Sequence, residues 1–281
     1  MPPVVESSLP AGADDYGTML LNNVYQGLPG AAPGAVKELQ VVQILPKGTP
    51  VADSPPVGLA GEENARAVLG TVPVEYDGSA HFRAPARRPL LFQALDADGL
   101  AIQTMRTITY LQPGEVRSCV GCHEDRGSTP PNVPVATVHR RPSEIVPGPE
   151  GTRPFSYVQL VQPIWDRHCI RCHSGDKPPK GIDLTRGPQG AFSRSYVSLC
   201  GDRDRFWGPG TNPGNAAEAL VPRFGARNEV HTTPPGGAYG ALGSRLMRML
   251  RAGHNGIALT PDEVRNDPAV LAAYLGEDGA A

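Results

Sequence analysis

The residues best suited to chemistry are two copies of one short pattern. SCVGCHEDR, residues 118–126, sets Cys119 and Cys122 three apart with His123 directly after them. HCIRCHSGD, residues 168–176, repeats the arrangement with Cys169, Cys172 and His173. Four of the chain's five cysteines serve this pattern. Two thiols at that spacing can each form a thioether to one vinyl group of a haem. The histidine that follows then lies under the iron and supplies an axial ligand. Cys119, Cys122, Cys169 and Cys172 are therefore candidate attachment points for two covalently bound c-type haems, with His123 and His173 as proximal ligands.

Two other chemistries use cysteine pairs. Four thiolates can close a tetrahedral zinc site, but the pairs then usually lie about 15–20 residues apart. Here 46 residues separate them, half of that stretch is proline-rich, and zinc gives no reason for a histidine after both pairs. A redox dithiol expects one motif in a βαβ setting, which the sequence does not offer. The haem reading is preferred, with a zinc-binding structural module and a redox dithiol or disulfide as the alternatives.

A second axial ligand must come from elsewhere. His254, in RAGHNG just after a helix stop, is one candidate, and the bland alternative is an exposed histidine facing the helix dipole. His231 is the next choice, while His168, His139 and His81 read as surface positions. Met247 and Met249 read as core rather than thioether ligands, and Cys200 as a small buried hydrophobe. Glu124, Asp125 and Arg126 could move protons or meet a polar substrate, against the simpler reading of a solvated loop. A glycine-rich phosphate loop, a nucleophile elbow and HExxH are all absent.

These residues need elements to position them. The 33 glycines and 31 prolines predict many turns and few long helices. A net charge of -2 gives no reason to expect nucleic acid or an anionic membrane surface as partner. No apolar run reaches the length of a membrane span. MPPVVESSLPAGADD is not a signal peptide as written. Covalent haem attachment normally follows export, so the expected location is periplasmic or equivalent, with the gene start upstream or this chain a fragment.

The pattern predicts an α+β, multidomain chain: a β-rich, sandwich-like N-terminal domain, then a small, mainly helical, cytochrome c-like domain. Residues 1–15 read as a disordered N-terminus and 16–126 as the β-rich domain ending in the first motif. VKELQVVQILP is a strand, and Val72, Val74 and Tyr76 lead through Asp77-Gly78 to Ala80 and Phe82 as a hairpin. Asp96 to Gly99 is a turn between two further strands. Residues 127–155 hold seven prolines in 29 positions, which predicts a linker without regular elements, either tether or extended strap. Residues 156–281 form the helical part. Tyr157, Leu160, Val161, Ile164 and Trp165 mark an amphipathic helix, kinked or restarted at Pro163, that delivers the second motif. ALGSRLMRMLRAG is a short helix stopped by Gly253, and Thr260-Pro261-Asp262-Glu263 caps another.

NVYQGLPG, GTVPVEYDGSAHFRAPARRPLLFQALDADGLAIQTMR, YLQPGEVRSCVGCHE and GALGSRLMRMLRAGHNGIALTPDEV resemble the hydrazine synthase alpha-subunit-related proteins, planctomycete-type multihaem c-type cytochromes. The resemblance runs from about Tyr16 to about Val264. It implies an N-terminal β-propeller, a β-rich middle domain with one haem and a C-terminal cytochrome domain with a second. This chain resembles the last two. By match to RAGHNG, the resemblance implies His254 as distal ligand opposite His173. Where the family carries a tyrosine ligand shortly after its first CxxCH, this chain has Glu124-Asp125-Arg126-Gly127, so His123 is expected to ligate iron in the ordinary way. The tail RNDPAVLAAYLGEDGAA lacks the family's tryptophan-containing helix, which predicts a less enclosed second pocket. The implied role is electron transfer with a redox partner protein and an upstream propeller domain or subunit. The alternative is a haem-dependent oxidoreductase acting on small nitrogen compounds at an open first iron.

Overall fold

A computed structural model describes residues 15–51, 54–58, 64–105, 107–122, 127, 135–148, 151–201, 220–221 and 243–259. The expectations for residues 1–14, His231 and the capping box at Thr260 lie outside these. So does His123, with Glu124, Asp125 and Arg126.

Among the described residues the chain is β-rich with few helices. Two sheets share one core. Strands β1 (Tyr16–Leu21), β4 (Ala80–Pro85) and β7 (Val116–Cys119) form the first, in the order β4-β1-β7. The second runs β6-β5-β2-β3-β8, from β2 (Glu38–Ile44), β3 (Arg66–Pro73), β5 (Leu90–Leu95), β6 (Ala101–Thr104) and β8 (Arg153–Pro154). Alternation explains the packing, since β1 buries Met19 and Leu21 and β4 buries Phe82 and Ala84, every second residue. These meet Leu39, Val41, Leu69, Val72, Leu90 and Ile102 from the other sheet. Phe82 is 1% exposed and sets its ring edge-on to Phe92 at 5.6 Å.

The hairpin expected at Asp77-Gly78 does not form. The turn is present, with Gly78 N–H bonding to Glu75 O at 2.9 Å and Glu75 N–H to Ser79 O at 2.8 Å. Its arms part, however: β3 pairs with β2, and β4 pairs with β1. Both arms carry apolar residues for the same core, and that core is filled from two sides, so the turn is a corner between sheets. The turn at Asp96 to Gly99 does join an antiparallel pair, β5 and β6, with Asp96 Oδ1 accepting from Asp98 N–H and Leu100 N–H.

The proline-rich stretch corrects the expectation of no regular element. It holds a 3-10 turn at Ala136–His139 and the short strand β8. It is strapped to the β sheets by bridges from Ser143 to Phe82 and from Val146 to Thr71. Side chains reinforce these ties. Asp77 Oδ2 accepts from Ala136 N–H at 2.7 Å, Arg140 pairs with Glu75 at 2.8 Å, and His81 Nδ1 lies 3.2 Å from Thr137 O.

The helical residues have a core of their own. A π-helical turn, Tyr157–Val161, leads into α1 (Gln162–His168), with Pro163 in the first turn, where a missing N–H costs nothing. The restart expected at Pro163 is therefore found. Helix α2 (Arg194–Cys200) follows the two-residue strands β9 (Pro188–Gln189) and β10 (Phe192–Ser193), and neither α2 nor this ribbon was anticipated. Helix α3 (Arg245–Ala252) is capped by Ser244, whose hydroxyl accepts from Met247 N–H, and ends at Gly253 with φ 86° as expected. Ile164, Trp165, Leu184, Leu199, Leu250 and Leu259 pack together, with Cys200 partly buried against them. No described helix is long and apolar enough to cross a membrane.

Two outcomes follow. A Cβ on Gly70 would lie 2.2 Å from Val146 O, and its φ of 142° disfavours any side chain. Gly70→Ala should lower stability by about 2–4 kcal/mol in denaturant unfolding. Secondly, burial opposes the charged form of Asp77, yet the bonds from Ser79 and Ala136 outweigh it and hold the carboxyl below its ordinary value. Its contribution to holding the strap is thus present above the ordinary carboxylate pKa and lost as pH falls through the depressed one. Amide exchange at Ala136 should lose protection in acid in the native chain, and Asp77→Asn should remove that pH dependence.

Candidate functional site

The second motif is a helical turn. Cys169 O accepts from Cys172 N–H at 3.1 Å and from His173 N–H at 2.9 Å, while Cys169 N–H continues α1 by bonding to Trp165 O. Residues three and four apart in such a turn share a face, so both sulfurs and the imidazole project to one side. His173 Nδ1 lies 3.1 Å from Ile182 O. A ring nitrogen donating to a carbonyl fixes the tautomer and leaves Nε2 as the ligating atom.

That face opens on a cavity of about 1630 Å³. Its lining includes Cys169, Cys172, His173, Met249 and His254. The structure thereby brings together four of the seven residues singled out from sequence. Met249 reaches this wall, and Met247 is half-buried on the same helix. His254 is presented by a tight turn. It exchanges both backbone bonds with Ile257, at 2.7 and 3.0 Å, while Asn255 and Gly256 take φ of 49° and 80°. Two positive φ values define a type I′ turn, whose strongest signal is Asn-Gly; read that way, HNGI would have announced it. Sequence reasoning missed this.

The two rings lie with centroids 6.1 Å apart and planes 33° from parallel. A metal–imidazole bond of about 2.0 Å, with about 1.1 Å from nitrogen to ring centre, puts two imidazoles on opposite sides of one metal about 6.2 Å apart. The ring separation therefore matches that of two histidines sharing one metal. The cavity exceeds the about 300–1,000 Å³ of ordinary small-molecule clefts, leaving room for a macrocycle.

A buried polar cluster braces this wall, and sequence reasoning missed it too. Gln162 is 0% exposed, donates to Leu184 O at 2.9 Å and Asp166 Oδ1 at 2.8 Å, and accepts from Ser195 Oγ. Trp165 Nε1 donates to Tyr157 Oη at 2.9 Å, and Tyr157 Oη donates to Ser195 Oγ at 3.2 Å. Burial pushes the Tyr157 hydroxyl up to about 12, so it stays a neutral hydrogen-bonding group. The cluster ties α1 to α2 and to the segment carrying Ile182.

The first motif has a different frame. Cys119 ends β7, which pairs in parallel with β1. Asn22 N–H bonds to Cys119 O at 2.9 Å, and Cys122 N–H bonds to Gln26 O at 3.1 Å. Gly121 is pressed on this segment: a Cβ there would lie 2.2 Å from Gln26 O. Both sulfurs pack on the β core, whereas Cys169 packs on the helical one. The first pair thus sits on the β core and Cys169 of the second on the helical core, unlike the converging thiols of a four-cysteine zinc site. No three His, Cys, Asp or Glu side chains form a metal-ion cage among the described residues. No disulfide links any of the five cysteines.

With this geometry in hand, the class is a β-rich protein with two Cys-x-x-Cys-His sequences, the first pair of cysteines set against the β core and Cys169 of the second against the helical one. Residues 34–124 match the family model of the hydrazine synthase alpha subunit middle domain. Hydrazine synthase subunit alpha of Kuenenia stuttgartiensis is 26% identical over 216 residues, covering 56% of this chain and 27% of that protein. The solved structure of Kuenenia stuttgartiensis hydrazine synthase matches with a TM-score of 0.60 at 20% identity, over 88% of this chain and 39% of that one. A model for a branched-chain amino acid ATP-binding cassette transporter matches only residues 260–280, outside the described residues. The chain is therefore related to the hydrazine synthase alpha subunit, most specifically to its middle domain over residues 34–124. It spans 27% of the length of its curated relative.

Burial, with Cys172 adding to it, pushes the Cys169 thiol up to about 11. A reactive dithiol needs the opposite shift. In haem-free protein at pH 8, only about 0.1% of Cys169 should be thiolate, so alkylation there is slow and accelerates towards pH 11. Mass mapping after timed alkylation checks this, with exposed Cys172 as the internal comparison.

Proposed function

We propose that this chain is a di-haem c-type cytochrome module acting in electron transfer. The observation that carries the reading is the His173–His254 pair, separated by the distance one metal between two imidazoles requires. Cys169 and Cys172 would hold the second haem by thioethers, with His173 and His254 as axial ligands. Cys119 and Cys122 would hold the first, with His123 as its ligand. When bound, each haem supplies a centre for one-electron uptake and release.

The chain's own residues prepare the second centre. The bond from His173 Nδ1 to Ile182 O orients the ring and raises its basicity, which favours the oxidised metal. Trp165, Leu199 and Leu250 bury one wall and exclude water from it, and burial is a main control on redox potential. With His173 and His254 both holding the haem, the site would favour one-electron relay over substrate turnover.

In this reading residues 16–126 are the β-rich domain, 127–155 the connecting strap, and 156–281 a cytochrome c-like domain. The module works after export, in a periplasmic or equivalent compartment, with a redox partner protein and a β-propeller domain or subunit upstream. The likeness to hydrazine synthase subunit alpha supports that setting.

The test is a haem count. The chain is produced with an export signal and haem-maturation machinery, and its covalent haem is measured against protein after denaturation. Two haems per chain are expected, with Cys119→Ala/Cys122→Ala and Cys169→Ala/Cys172→Ala each retaining one. Covalent haem absent from a folded chain that binds zinc instead would overturn the reading.

A further inference from the structure

The two histidines are engaged differently. His173 uses Nδ1 for its hydrogen bond, so Nε2 remains for a metal. His254 has its Nε2 3.2 Å from the side-chain amide of Asn255. The amide engages that nitrogen in either orientation: Nδ2 donates to its lone pair, or Oδ1 accepts its proton. A lone pair already accepting a hydrogen bond, or replaced by a proton, cannot bind a metal.

We propose that Asn255 is a positioning residue that competes with the iron for His254 Nε2, so that the distal position of the second haem opens to a small neutral ligand. This rests on the haem reading above. The turn makes the competition possible. Asn255, at φ 49°, occupies the left-handed first corner of the type I′ turn, and its exposed side chain stands beside the ring that precedes it. Glycine would satisfy that corner equally well but would bring no amide. His254 is also carried on a short loop, held by its two bonds to Ile257 and by Leu259 N–H to Leu250 O at 3.1 Å. His173, by contrast, is fixed within the turn that continues α1. The pair is thus one firm ligand and one displaceable ligand.

The test uses the full haem-loaded chain, in native form and as Asn255→Gly, Asn255→Asp and His254→Gly. Carbon monoxide is titrated into each reduced sample, and covalent haem is counted in the same samples. The component that responds to His254→Gly belongs to the second haem. Asn255→Gly keeps the turn and removes the competitor, so carbon monoxide affinity there should fall by about fivefold, the worth of one hydrogen bond. Asn255→Asp holds a proton on Nε2 and should raise it. Equal affinities in the native, Gly and Asp proteins, with His254→Gly still raising it, would overturn the proposal and leave the haem reading standing. No response to His254→Gly would overturn the proposal and the axial role of His254, with the haem count unaffected. A folded chain without haem overturns both.

Discussion

The second site depends on one carbonyl oxygen. Cys169 O accepts from both Cys172 and His173 backbone N–H groups, and this shared acceptor closes a helical turn. An extended chain would send successive side chains to opposite faces. The turn sends Cys169, Cys172 and His173 to one face, where a single planar group can meet all three. The rest of the helical core holds this turn in place. Helix α1 feeds into it, Trp165 and Ile164 anchor α1, and buried Gln162 fastens α1 to the strand of chain that brings Ile182 O to His173. Removing the Gln162 side chain would leave buried acceptors unpaired, which costs more than the bonds themselves contribute.

The same five-residue pattern occurs twice in the sequence, and its cysteines are carried on unlike frames. At the first motif the cysteines leave the end of a strand and are clamped to residues 22–26 by backbone hydrogen bonds. At the second they leave the end of a helix. Pattern therefore dictates which atoms are available, while the neighbouring element decides how they are presented. Separate cores beneath the two motifs also mean that each site can be perturbed without dismantling the other, since distant mutations are usually additive.

Between the motifs runs the proline-rich strap. Proline denies it the donors for an ordinary ladder, yet its remaining N–H groups find partners: Ser143 with His81 O, Val146 with Thr71 O, and Ala136 with Asp77. Exposed ion pairs such as Arg83 with Glu144 add little singly. Backbone bridges and the close contact with Gly70 do more, and they fasten to both sheets the chain that leads towards the second motif.

Local signals alone determined a good part of this. The two CxxCH units, the restart at Pro163, the stop at Gly253 and the Asp96 to Gly99 turn all depend on residue types and near neighbours, and the sequence states them directly. The family resemblance, borne out over residues 34–124, came from a long specific string rather than from either motif. Other features depended on contacts far apart in the chain. The parting of β3 and β4 at the Asp77 corner follows from a core filled from two sides, which alternation along one strand cannot reveal. The strap's anchorage and the buried Gln162 cluster likewise join residues 22 to 83 positions apart. The approach of His173 and His254 belongs here too. Spacing named both rings, but their 6.1 Å separation needed α1, α3 and the Asn255-Gly256 turn packed on one core, because only packing fixes distance between parts of a chain that do not touch in sequence.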